Sequence, residues 1–203
     1  MQRAGVLQPT QKENPISHLT VHTEETAPAA SKTILESTKK AFGFLPNLTA
    51  TFAESPAMVE AYGVLSGLFE KTDLTPTERQ IVLMTTSREN GCTYCMAAHS
   101  TVSQMQKVPA DVVEALRNDA PIADAKLQAL QVFTARIHET RGNVTETDLN
   151  AFHAAGYTKA NILDVILGAG LKTLSNYTNH IAETPLDAQF QANAWTGKTS
   201  AAA

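Results

Sequence analysis

Two cysteines and a histidine stand close together in the run Glu89-Asn90-Gly91-Cys92-Thr93-Tyr94-Cys95-Met96-Ala97-Ala98-His99-Ser100, and the chain has no other cysteine. Side chains three, four and seven apart share one face of a helix, so Cys92, Cys95 and His99 are predicted to form a single stripe. Met96, Ala97 and Ala98 favour helix, and Gly91 is a natural break before it. The cysteines therefore fall in the first turn of a new helix, where unpaired backbone N–H groups and a partial positive charge favour thiolate over thiol. A cysteine of pKa about 8.5 is only a few per cent ionised at neutral pH, whereas one lowered to about 7 is about half ionised, so position alone can raise the reactive fraction about tenfold.

The same residues can bind a metal. Cys92, Cys95 and His99 offer three zinc ligands, with His153, His180 or water as a fourth, yet structural zinc sites usually draw their ligands from separate elements or a knuckle. A cysteine pair separated by two residues in a reducing compartment reads first as redox-active, and no metal or cofactor is expected. Two such thiols can also be inert core residues; the spacing, the helix start and His99 together favour chemistry.

The 203 residues, 43% of them hydrophobic, are enough to bury one sizeable core, and one domain is expected. A net charge of −4, without a Lys/Arg cluster, gives no electrostatic case for nucleic acid. No apolar run reaches the length of a membrane span and the N-terminus lacks the plan of a secretory signal, so a cytoplasmic protein with no membrane partner is expected.

The elements that must position the cysteine stripe are helical throughout. Residues 1–30 are polar and aperiodic and read as an arm, with His18 and His22 as solvated residues in preference to a metal pair. Helix is predicted from Lys32 to Phe42, ended by Gly43 and Pro46, and a short one from Asn47 to about Glu54. Ser55-Pro56 starts a core helix with Met58, Tyr62, Leu65 and Phe69 on one face. Thr75, Pro76 and Glu78 form a capping box opening a helix to about Glu89, whose run Ile81-Val82-Leu83-Met84 is apolar on every side and marks it as central.

Beyond the cysteine helix, Val108-Pro109 precedes a short amphipathic helix carrying Val112, Val113 and Leu116. Pro121 opens a longer one with Leu127, Leu130, Phe133 and Ile137, and Gly142 closes it. Thr145 with Asp148 caps the next, and Thr158 begins the longest periodic segment, with Ile162, Ile166, Leu174, Tyr177 and Ile181 on one face. No segment alternates with period two, so the fold class is all-α, with an arm at 1–30, a helical domain at 31–185 and a tail at 186–203.

The run Cys92-Thr93-Tyr94-Cys95-Met96-Ala97-Ala98-His99, preceded by Thr75-Pro76-Thr77-Glu78-Arg79-Gln80, resembles the carboxymuconolactone decarboxylase superfamily, and more closely its AhpD-like alkylhydroperoxidase branch. Phe42-Gly43-Phe44-Leu45-Pro46-Asn47 upstream and Gly142-Asn143-Val144-Thr145-Glu146 with Ala155-Gly156-Tyr157 downstream extend the resemblance over roughly residues 35 to 185. It implies an all-helical subunit in a homo-oligomer, often a trimer or hexamer. It also implies reduction of hydroperoxides by a thiol pair that is recycled by a lipoyl- or thioredoxin-type dithiol donor. On this resemblance Cys95 attacks the peroxide and Cys92 resolves the sulfenic acid to a disulfide. The helical spacing agrees, since Cys95 lies four residues before His99 and within reach of its imidazole.

One position departs from the family pattern, which has a glutamate twelve residues before the first cysteine as head of a proton relay. Here Gln80 stands there, and an amide can orient a neighbour but cannot take a proton. Glu89 is the nearest carboxylate in sequence and is expected to substitute. Tyr94 can hydrogen-bond the peroxide or the relay, or simply pack. His180 lies in a polar stretch of the long helix and can face the site or an interface, and Trp195 can anchor a neighbouring subunit. The competing classes are a lactone decarboxylase that uses no thiol chemistry, and a non-enzymatic redox sensor.

Overall fold

The computed structural model describes residues 19–197. Among these, nine α-helices and one short 3-10 helix make up the regular structure, with no strand. In chain order they are α1 (Ala29–Phe42), α2 (Asn47–Phe52), α3 (Pro56–Phe69), α4 (Pro76–Glu89), α5 (Thr93–Met105), α6 (Ala110–Asn118), α7 (Ala125–Thr140), α8 (Glu146–Ala154), α9 (Lys159–Ala182) and the 3-10 turn Ala188–Asn193.

Helix α4 is the axis of the bundle, packed against α5, α6, α7 and α9. Its all-round apolarity explains this: Ile81, Val82 and Met84 are fully buried, and the hydroxyls of Thr86 and Ser87 are satisfied by carbonyls one turn back. The capping box at its start forms as expected, Glu78 N–H donating to Thr75 Oγ1 (3.2 Å) and Thr75 N–H to Glu78 Oε2 (2.8 Å). Glu78 is also buried against Tyr157 Oη (2.9 Å) and Lys126 Nζ (3.1 Å), so one carboxylate ties α4 to α7 and to the loop before α9. Phe133, Phe152 and Tyr157 stack in a column with ring centroids 4.1 and 4.5 Å apart, closing α7 and α8 over that end. Helix α9 crosses α3 and α4 at Gly168, where a Cβ would lie 2.7 Å from Phe69 and Val82; only glycine permits this approach.

Three sequence expectations change in the structure. Helix α7 starts at Ala125, capped by Asp124, and not at Pro121. On α9 the face through Ile166, Tyr177 and Ile181 points outward, and the buried face carries Val165, Gly168, Leu171, Lys172, Ser175, Asn176 and Asn179. An apolar stripe does not by itself tell core from unpartnered surface, whereas burying the polar stripe here satisfies groups on α4 and α5.

The third change concerns the tail, which folds back over α5 within the described residues. Arg117 donates to the carbonyls of Asn193 and Ala194 (3.0 Å each), Asn193 Nδ2 to Thr101 Oγ1 (3.0 Å), and Trp195 Nε1 to the Arg117 carbonyl (3.0 Å). Trp195 thus packs on its own subunit. At the other end, His18 lies outside the described residues, and His22 joins the body through its backbone N–H to Ala50 (3.3 Å) and its ring to Glu54 (2.9 Å).

Candidate active site

Helix α4 ends at Glu89, with Asn90 as its C-cap, and the chain turns sharply at Gly91, whose φ of +68° is the left-handed conformation glycine adopts without strain. The turn delivers Cys92 to the N-cap of α5 in extended backbone, with Cys95 one turn inside the helix. Both thiols are free and only 1% exposed. Cys95 and His99 lie on the same side of α5, as their spacing requires, and Lys172 of α9 meets them there.

Lys172 is 1% exposed and its Nζ lies 2.9 Å from His99 Nε2. An ammonium can only donate, so His99 accepts at Nε2 and carries its proton on Nδ1, which donates to Gln80 Oε1 at 3.0 Å. Gln80 Nε2 then donates to Gln106 Oε1 at 3.1 Å, and the chain of bonds is consistent from end to end. Gln80 therefore orients the imidazole. Glu89, expected to replace the missing carboxylate, is instead gripped by Arg88 (2.9 Å), whose other arm reaches Asp119 (2.7 Å). The charge beside His99 is the Lys172 ammonium.

Asn179, two turns further along α9, donates from Nδ2 to Cys95 Sγ (3.2 Å) and more distantly to Cys92 Sγ (3.7 Å). Ser175 Oγ lies 3.8 Å from Cys95 Sγ. Burial alone would push the Cys95 thiol up, but the hydrogen bond from the Cys92 thiol, the Lys172 charge and the Ser175 contact outweigh it and hold Cys95 well below the ordinary thiol range. Cys92 moves the opposite way: sharing its proton with Cys95 raises it, and burial adds to the effect. The pair thus divides its roles, Cys95 the thiolate and Cys92 the thiol. His99 is held neutral, first by burial and then by the Lys172 charge, while Lys172 keeps its proton because the Cys95 charge offsets its own burial.

Tyr94 is buried and stands between the cysteines in sequence. Its hydroxyl donates to Asp187 Oδ2 at 2.5 Å and accepts from Leu48 N–H at 3.2 Å, while Asp187 caps α2 through Asn47 N–H at 3.0 Å. Burial and the Asp187 carboxylate raise the phenol, keeping it protonated. Tyr94 is therefore the pin that holds the C-terminal segment and α2 against the cysteine turn. Phe190 meets its ring edge-on, with centroids 6.0 Å apart.

Two cavities reach the motif. One, of about 340 Å³, has apolar walls including Leu48, Tyr62, Phe69, Leu83 and Phe190, and ends at Cys95, His99, Gln80 and Lys172. The other, of about 350 Å³, is polar and ends at Cys92. His180 is exposed and lines the second; His153 is turned away, its Nδ1 on the Tyr157 carbonyl at 2.9 Å. No group of three or more His, Cys, Asp or Glu residues among those described is placed to hold a metal ion.

Lys172, Ser175 and Asn179 were not among the residues expected at the site, although a signal for them exists. They recur at helical spacing along α9, a polar stripe opposite an apolar one. The polar stretch around Asn176–His180 drew the expectation to His180, one residue beyond Asn179, and one residue is about 100° around a helix.

Residues 50–135 match the family model described as the carboxymuconolactone decarboxylase family. No curated protein matches the sequence. Among solved structures, the fold is similar to an uncharacterized peroxidase-related protein with the alkylhydroperoxidase AhpD core from Ralstonia eutropha JMP134 (TM-score 0.77, 24% identity, covering 91% of this chain and 100% of that one). It is also similar to an uncharacterized peroxidase-related protein from Silicibacter sp. TM1040 (TM-score 0.75, 18% identity, 93% and 99% covered). A third likeness is to a variant of the debrominase Bmp8 in complex with 2,3,4-tribromopyrrole (TM-score 0.74, 16% identity, 90% and 97% covered). The segment that holds α4, the cysteine turn and α5 is thus similar to the carboxymuconolactone decarboxylase family, and the fold of the chain is that of the AhpD core.

Proposed function

We propose that the protein is a thiol-dependent peroxidase that reduces organic hydroperoxides through a Cys92/Cys95 dithiol–disulfide cycle. The observation that supports this most directly is the Cys95 thiolate, held by Lys172 and Asn179 at the end of an apolar cavity, with a protonated thiol beside it. The thiolate attacks the distal peroxide oxygen, the O–O bond breaks, and the departing alkoxide takes a proton from the Lys172 ammonium. Cys95 is then a sulfenic acid. Cys92 attacks its sulfur, and the Cys92 proton leaves with the hydroxyl as water, forming the disulfide. A dithiol donor of lipoyl or thioredoxin type restores both thiols. His99, neutral and fixed by Gln80, keeps the Lys172 ammonium aimed and desolvated.

The apolar stripe Leu163, Ile166, Tyr177 and Ile181, exposed along α9, supports assembly of this chain with its own copies. The peroxidase reading is tested by thiol titration of the reduced protein before and after one equivalent of cumene hydroperoxide. Loss of both thiols, with Cys92→Ser accumulating a sulfenic acid at Cys95 and Cys95→Ser unreactive, is the expected result. Thiols that survive longer than free cysteine under the same conditions sink it.

A further inference from the structure

The two cysteines open to different cavities. Cys95 lines the apolar one and Cys92 the polar one, while Tyr94 lines both and stands between them. A hydroperoxide that has reacted at Cys95 has no need of the second cavity, and that cavity is built as a site in its own right. Cys92 and Asn179 form its floor, Thr93, His180 and Glu183 line it further, and Thr184 belongs to the wall. Two buried polar atoms of these residues have no partner: Asn179 Oδ1, whose amide nitrogen is engaged by the sulfurs, and Thr184 Oγ1. Their residues are 5% and 9% exposed. A buried polar atom without a partner is costly, so two of them on residues that line one cavity point to a guest that supplies the missing bonds.

Resting on the peroxidase reading, we propose that the polar cavity is the entrance for the thiol reductant, and that the reductant attacks Cys92 and not Cys95. Access and leaving-group chemistry select the same sulfur. Cys92 lines this cavity and Cys95 does not, and attack on Cys92 expels Cys95, the cysteine whose thiolate Lys172 and Asn179 stabilise; the thiol of lower pKa is the better leaving group. An incoming S–H can donate to Asn179 Oδ1 as it approaches. The donor thiolate forms a bond to Cys92 Sγ, the Cys92–Cys95 bond breaks, and the electron pair stays on Cys95 as thiolate. The donor's second thiol then attacks its own first sulfur, releasing Cys92, which takes that second thiol's proton. The donor leaves as a disulfide, and the proton of its first thiol restores the Lys172 ammonium spent on the alkoxide. Oxidant and reductant use opposite doors, so a slowly departing alcohol does not block recycling.

The test uses full-length protein oxidised by diamide, so that the disulfide is made without any peroxide. Reduction by dithiothreitol is followed by stopped flow, and oxidation by cumene hydroperoxide is followed separately. His180→Trp places a bulky ring at the mouth of the polar cavity from an exposed position; Met105→Trp does the same at the apolar mouth, where Met105 is 73% exposed. His180→Trp is expected to slow reduction by about tenfold or more while leaving oxidation unchanged, and Met105→Trp to do the reverse, because exchange rates follow access to the attacked sulfur. Trapping with 2-mercaptoethanol, followed by alkylation and mass spectrometry, is expected to place the mixed disulfide on Cys92. Wild-type reduction rates in His180→Trp, or the adduct on Cys95, overturn the proposal. A protein that diamide oxidises but hydroperoxide does not would instead refute the peroxidase reading, and the two failures are told apart.

Discussion

Lys172→Met removes one charge from the centre of the site while keeping a similar buried volume. Two unit charges about 4 Å apart at an effective dielectric near 20 attract by about 4 kcal/mol, enough to decide whether Cys95 is ionised at neutral pH. The substitution also removes the donor to His99 Nε2 and lifts the charge that depresses the imidazole. The Asn179 and Cys92 hydrogen bonds to Cys95 remain, so the thiolate is weakened and not abolished. Titration of the thiolate ultraviolet absorbance is expected to move the Cys95 transition upward, because the Lys172 charge that lowers it is gone. The rate of reaction with hydroperoxide at neutral pH is expected to fall by about two to three orders of magnitude and to recover in part as the pH is raised. Fold stability is expected to fall by about 1–3 kcal/mol, because His99 Nε2 loses its buried donor while Cys95 can take up a proton and leave no unpaired buried charge. An unchanged thiolate titration in a folded Lys172→Met protein would falsify the assignment of Lys172 as the group that ionises Cys95.

Glu89→Gln is expected to leave the peroxide reaction within about twofold of wild type, because its carboxylate is held by the buried Arg88 guanidinium, and a large loss would return Glu89 to the relay. Asp187→Ala breaks both the Tyr94 bond and the cap of α2; a loss of about 1–3 kcal/mol and faster amide exchange over residues 186–197 are expected. Gly168→Ala pushes a methyl into Phe69 and Val82 and should cost about 1–3 kcal/mol, read as a lower thermal midpoint with the site chemistry retained. The Glu78 carboxyl, which burial alone would raise, is held below its ordinary value of 4.5 by Thr75, Lys126 and Tyr157. Its contribution is therefore present above that value and is lost as pH falls through the folded one. Denaturant midpoints of wild type and Glu78→Gln should converge as the pH is lowered through that range; a gap that stays constant would refute the linkage.

The motif, the capping boxes and the glycine turn were legible in the sequence because they are local. Thr75 with Glu78, Thr145 with Asp148 and Gly91 before Cys92 each specify their structure within one turn of chain, and the all-apolar run of α4 could only be central. The pairing of Cys95 with His99 on one face follows from helical geometry alone. What lies between and beside them does not. Lys172 is 73 positions from His99 in sequence, and Asn179 is 84 from Cys95. Periodicity marks a polar stripe and an apolar stripe on α9, but only packing against α4 and α5 decides that the polar one turns inward and the apolar one out. The same holds for Asp187, whose bond to Tyr94 exists because the tail folds back. Local sequence determined which atoms could react; the tertiary fold decided their charge, since the field at Cys95 comes from a helix that the chain reaches only after several further turns.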